Sequence, residues 1–136
     1  MTNKSQEDYL RTMYELYEQQ QDKKIGIKKS EIANELKVSK SSVTQMMNNF
    51  LSRKMIKMDL YSRLFFTSKG LKFAQKITRK HRIIEVFLRE ALGYKCLKTI
   101  TREAHNLEHS FSDDAINRLD KFLGNPKKCP HGDAIS

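Results

Sequence analysis

Apolar residues in the first fifty positions recur at helical spacing in three separate runs. Tyr9, Leu10, Met13, Tyr14, Leu16 and Tyr17 share one face and predict a helix over about residues 6–21. Lys23, Lys24 and Gly26 mark the turn after it. Ile32, Ala33 and Leu36 predict a short second helix, with Ser30 as its expected cap. Val38-Ser39 reads as a tight turn. Ser39 then caps a third helix, about Lys40 to Arg53, whose inner face is Val43, Met47 and Phe50 or Leu51.

The pattern then changes. Met55 to Met58 and Leu64 to Thr67, joined through Asp59 to Arg63, read as a short β-hairpin with weak alternation. Gly70 follows, and a long helix runs from about Lys69 to Leu92, where Gly93 ends it. Leu97, Ile100, Ala104, Leu107 and Phe111 step by three and four, the signature of an amphipathic helix. Ser112 with Asp113 and Asp114 starts a last helix, which Gly124 and Pro126 stop. The tail from Lys127 to Ser136 is irregular. The expected fold class is mainly α: an N-terminal winged helix-turn-helix over 1–70, then a helical domain over 71–136.

Charge divides the chain in the same way. Residues 1–80 carry 17 Lys and Arg against 8 Asp and Glu, while residues 81–136 carry 9 against 8. All four histidines lie in the second part. A basic winged helix fits a polyanion, and the start of the second helix of a helix-turn-helix, here the third helix of the chain, enters the major groove of double-stranded DNA. The candidate DNA contacts are therefore Ser39, Lys40, Ser41, Ser42, Thr44 and Gln45, with Lys57 and Arg63 on the wing. Gln can pair with adenine, Ser and Thr with bases or phosphates, and Lys and Arg with phosphates.

The second part carries metal chemistry. His105-Asn106-Leu107-Glu108-His109 puts two imidazoles and a carboxylate on one side of a helix. Divalent transition metals prefer such donors. Asp8, on the first helix, is a candidate fourth ligand. His81 and Glu85 stand four apart on the long helix, and Cys129-Pro130-His131 offers a thiol and an imidazole across a stiff Pro. These four could form a second, tetrahedral site. The H-x-x-E-H run also matches inverted zinc proteases, with His105 and His109 on zinc and Glu108 as base. No long downstream segment supplies a further ligand and a substrate cleft for that alternative.

Composition bounds the rest. With 38% hydrophobic and 31% charged residues the chain suits a globular protein. It has no apolar run of membrane-spanning length and no apolar N-terminal signal region. Two cysteines make no disulfide framework, which points to a reducing cytoplasm. Cys96, within an apolar stretch, reads as an unremarkable buried thiol.

Over nearly its whole length the chain resembles the diphtheria toxin repressor family of metal-dependent transcriptional regulators. The residues that carry the likeness are Glu7 to Leu16, Ile32-Ala33 through Val43-Thr44-Gln45, Leu64 to Gly70, Arg79-Lys80-His81-Arg82, Glu108-His109 and Cys129-Pro130-His131-Gly132. The resemblance implies a cytoplasmic homodimeric repressor that binds an inverted-repeat operator of metal-uptake genes when loaded with Mn(II) or Fe(II), with Zn(II) accepted in vitro. It implies a primary site of Asp8, His105, Glu108 and His109 and an ancillary site of His81, Glu85, Cys129 and His131. It implies no enzymatic activity, no membrane partner and no small organic ligand. The alternative is a winged-helix regulator answering an organic effector, with the histidines incidental. Iron-sensing relatives often have Met and Cys where this chain has Asp8 and His105. Manganese-sensing ones have Glu at the positions of His105 and Arg11. Longer members carry a third, SH3-like domain.

Overall fold

The computed structural model describes residues 4–135; Met1 to Asn3 of the expected signal-free N-terminus and Ser136 of the tail lie outside it. Among the described residues there are six helices and one two-stranded sheet: α1 (Lys4–Gln19), α2 (Lys29–Leu36), α3 (Lys40–Ser52), β1 (Ile56–Met58), β2 (Leu64–Phe66), α4 (Ser68–Glu90), α5 (Leu97–Glu108) and α6 (Asp113–Phe122). The chain divides into two compact units, Met1–Ile77 and Thr78–Ser136, and α4 contributes to both.

In the first unit, α1, α2 and α3 close over a core that includes Leu10, Met13, Ile32, Val43, Met47 and Phe50, all fully buried or nearly so. Phe50 is the inner residue at the end of α3, and Leu51 is only partly covered. The turn between α2 and α3 rests on Lys37, whose backbone is left-handed (φ 56°), with the Val38 N–H donating to the Ala33 carbonyl at 3.1 Å. Ser39 caps α3 as expected: its Oγ accepts the Ser42 N–H at 3.1 Å. Ser30 does not cap α2. The helix starts two residues earlier than that cap would allow, at Lys29, and the Glu31 carboxylate accepts the Lys28 N–H at 2.9 Å, which leaves Ser30 in the first turn.

The hairpin pairs Ile56 with Phe66, Lys57 with Phe65 and Met58 with Leu64. Asp59 holds the loop by accepting the N–H groups of Tyr61 (2.9 Å) and Arg63 (2.8 Å). Leu60 and Tyr61 stand almost fully exposed at the tip of this wing. Ile27 adds a one-residue bridge to Leu64, with hydrogen bonds of 2.9 Å in both directions. That bridge was not foreseen: a single apolar residue next to Gly26 has no periodicity to read.

Where the wing meets α4, the Thr67 hydroxyl donates to the carbonyls of Lys54 and Met55 and accepts the Gly70 N–H at 3.1 Å. Gly70 lies so close to this strand that a Cβ there would meet the Met55 carbonyl oxygen at 1.8 Å. Backbone cannot step aside as a side-chain end can.

The second unit packs α4, α5 and α6 around Ile83, Ile84, Leu88, Ile100, Ala104 and Ile116. Gly93 (φ 76°) follows α4, and Ser112 caps α6 by accepting the Ala115 N–H at 3.1 Å. The α5 helix ends at Glu108 with His109 as its C-cap, three residues short of the expected Phe111. Cys96 is exposed at the N-cap of α5 rather than buried, because the apolar face of that helix begins only at Ile100. No helix among the described residues is long and apolar enough to cross a membrane.

Gly70→Ala is expected to lower stability by about 1–3 kcal/mol or to prevent folding. The helix-propensity gain of about 1 kcal/mol would otherwise have made the same change stabilising. Denaturant unfolding of the two proteins reads the sign directly.

Candidate metal centre

Glu108, on the last turn of α5, is 1% exposed. A carboxylate so far from water needs partners that favour its charge. It has three imidazoles: His81 Nδ1 at 2.7 Å from Oε2, His109 Nε2 at 3.4 Å from Oε1, and His105 Nδ1 at 4.0 Å from Oε1. Helical spacing explains His105 and His109, whose rings meet edge to face with centroids 5.6 Å apart. His81 comes from α4, which packs on α5. The donor atoms of His105, Glu108 and His109 all lie within 4.8 Å of one another. One buried oxygen donor among imidazole nitrogens fits a divalent transition metal. Asp8, the expected fourth ligand, belongs to α1 of the first unit.

The second set lies within the same unit. The donor atoms of Glu85, Cys129 and His131 lie within 4.8 Å of one another, and His131 Nδ1 is 3.1 Å from Glu85 Oε2. The expected irregular tail is in fact a tight turn. The Cys129 N–H donates to the Asp133 carbonyl and the Gly132 N–H to the Cys129 carbonyl, each at 2.9 Å, and Lys128 bridges to Ala134. Gly132 takes φ 89°, which a side chain would resist. Arg82, almost wholly buried, ties this turn to α4 by donating to the Ala134 carbonyl at 2.9 Å.

His81 stands between the two sets. Its Nδ1 meets Glu108, while its Nε2 is 3.5 Å from Glu85 Oε2. Sequence spacing showed the neighbour at i+4; it gave no sign of Glu108, which arrives through the packing of α5 on α4. Thr101 was missed altogether. Its hydroxyl reaches both Glu85 and His131.

Burial pushes the Glu85 carboxyl up. The His81 hydrogen bond, the charges of His81 and His131 and the Thr101 hydroxyl outweigh this and hold it below the ordinary carboxylate value. Burial pushes the Cys129 thiol up. The N–H groups of Asp133 and His131 offset this only in part, and the carboxylates of Glu85 and Asp133 add to it.

The DNA candidates occupy the first unit. Ser39, Lys40, Ser41, Ser42, Gln45 and Lys57 are exposed, while Thr44 and Arg63 are half-buried. The Ser39 hydroxyl is committed to the helix start: besides capping Ser42, it lies 3.1 Å from Ser41 Oγ and 2.9 Å from Ser42 Oγ.

Comparison with known proteins agrees with this division. Residues 1–61 match the N-terminal DNA-binding domain of the iron-dependent repressors, and residues 67–136 match their metal-binding and dimerisation domain. An uncharacterized HTH-type transcriptional regulator of Methanocaldococcus jannaschii is 36% identical over 121 residues, 89% of this chain and 94% of that protein. The regulator MntR of Geobacillus kaustophilus is 33% identical over 88% of this chain and 80% of its own length. The structure of the manganese regulator SloR superposes with a TM-score of 0.81 at 42% identity, over 99% of this chain but only 60% of SloR.

A metal can take Cys129 only as the thiolate, so loading of the second set must release the proton that burial holds there. Because the folded thiol titrates above its ordinary value, this cost grows as pH falls. Affinity at that set is expected to weaken by about tenfold per pH unit from the thiol alone. Chelator competition with Zn(II), one pH unit apart, measures the slope, and Cys129→Ser should make it shallower.

Proposed function

We propose, for a chain that belongs to the iron-dependent repressor family, that it is a repressor whose corepressor is Mn(II) or Fe(II), acting as a cytoplasmic homodimer on an inverted-repeat operator of metal-uptake genes. The observation that carries this is the buried Glu108 carboxylate ringed by three imidazoles in the part that matches the family's metal-binding domain. His105, Glu108 and His109 make the primary set, with Asp8 as the donor from the first unit. Glu85, Cys129 and His131 make the ancillary one, with His81 between them. Residues 1–70 form the DNA-binding part and 71–136 the metal-binding and dimerisation part.

The metal supplies a positive charge that imidazole and carboxylate donors from separate elements can share. It favours the DNA-competent state only by as much as it binds that state more tightly. At the DNA end, Lys40, Ser41, Ser42 and Gln45 line the exposed start of α3, which enters the major groove. Lys57 and Arg63 on the wing hold phosphates. Thr44 is half-buried, and Ser39 acts through the cap it makes. We read the protein as a regulator rather than an enzyme: family membership supports the H-x-x-E-H run as metal ligands rather than protease machinery. Zn(II) fits the imidazole-rich set in vitro.

Glu108→Gln and His109→Ala are each expected to abolish Mn(II)-dependent retardation of a duplex selected from random sequence by the loaded protein. Undiminished retardation by either variant would contradict the assignment. Binding to that duplex should also weaken steeply with salt. Lys40→Ala or Lys57→Ala should each reduce the slope of log affinity against log salt by about one.

A further inference from the structure

Thr101 lies on α5, outside both donor sets, yet its side chain touches two members of one of them. Its Oγ1 is 3.1 Å from His131 Nε2 and 3.4 Å from Glu85 Oε2. The other ring nitrogen of His131, Nδ1, is the one that faces Glu85, at 3.1 Å. When a metal takes Nδ1 of His131, the ring proton lies on Nε2, and this fixes the direction of each bond. A carboxylate only accepts, so the Thr101 hydroxyl donates its proton to Glu85. Its lone pairs are then free to accept the Nε2–H of His131. A hydroxyl in this place therefore holds the ring with Nδ1 turned toward Glu85. Threonine is suited to it, because a β-branched side chain has few rotamers on a helix.

We propose that Thr101 is the positioning residue of the Glu85–Cys129–His131 set: it accepts the Nε2–H of His131 and so holds Nδ1 toward the metal. The inference rests on the reading of that set as a metal site. It assigns Thr101 no ligand bond. Its effect is exerted through His131 and Glu85, in the way outer partners orient ligating histidines. His131 is exposed, and Thr101 and Glu85 hold its ring from either nitrogen, each at 3.1 Å.

The test uses the full chain and Zn(II) as probe. Cys129→Ser identifies which of two bound equivalents belongs to the set. Thr101→Val keeps the shape and removes the hydroxyl; Thr101→Ser restores the hydroxyl. Thr101 is exposed, so neither change should disturb folding, and apo melting curves check this. The proposal expects Thr101→Val to weaken the Cys129-sensitive equivalent by about 10- to 100-fold, to leave the other unchanged, and to be rescued by Thr101→Ser. It also expects long-range proton–nitrogen spectra of the Zn(II)-loaded protein to place the His131 proton on Nε2. Wild-type affinity in Thr101→Val, no rescue by Ser, or a proton on Nδ1 would overturn the role of Thr101 and leave the site standing. A wild-type chain with no Cys129-sensitive equivalent would overturn the site, and this inference with it.

Discussion

A carboxylate kept from water and surrounded by imidazoles is the constraint around which the second unit is organised. Glu108 is 1% exposed, and its nearest partner is His81 Nδ1 at 2.7 Å. Breaking such a pair by removing one member leaves an uncompensated buried charge, at a cost of about 3–5 kcal/mol. The apolar stripes of α4 and α5, meeting through Ile83, Ile84, Ile100 and Ala104, hold the two polar groups at this depth. The packing thus forces together groups that water would otherwise keep apart. A divalent cation among these donors would replace the missing solvent.

The same imidazole extends the constraint to the tail. His81 faces Glu108 with one nitrogen and Glu85 with the other, and Glu85 in turn meets His131 and Thr101. Arg82, one residue further along α4, fastens the turn that carries Cys129 and His131. Adjacent residues of one helix therefore serve both sets. The two sets differ in softness: oxygen and imidazole donors suit Mn(II), Fe(II) and Zn(II), whereas a buried thiolate favours the softer ions. In the proposed primary set His105 adds an imidazole nitrogen, a donor that Mn(II), Fe(II) and Zn(II) all accept.

Much of this was legible in the chain. The periodic runs of α1, α3 and α5, the Ser39 and Ser112 caps and the i, i+4 spacing of His105 and His109 are local signals, and local geometry obeys them. What could not be read was contact between elements. Nothing in the spacing of α4 pairs His81 with Glu108, and nothing marks Thr101 as a neighbour of His131, thirty residues on. The Ser30 cap failed because Glu31 offered the Lys28 N–H a charged acceptor two residues earlier. Cys96 came out exposed because its apolar neighbours in sequence do not share its face. The tail looked irregular because its turn depends on Gly132 and on Arg82, fifty residues away.

The central claim is that metal and DNA bind one and the same state of the protein. By linkage, each must then tighten the other by the same factor. Anaerobic calorimetric titration of the chain with Mn(II), alone and with the selected duplex present, measures this coupling. The account predicts tighter Mn(II) binding in the presence of the duplex, by the factor through which Mn(II) tightens the duplex. Equal Mn(II) affinity with and without DNA would contradict it.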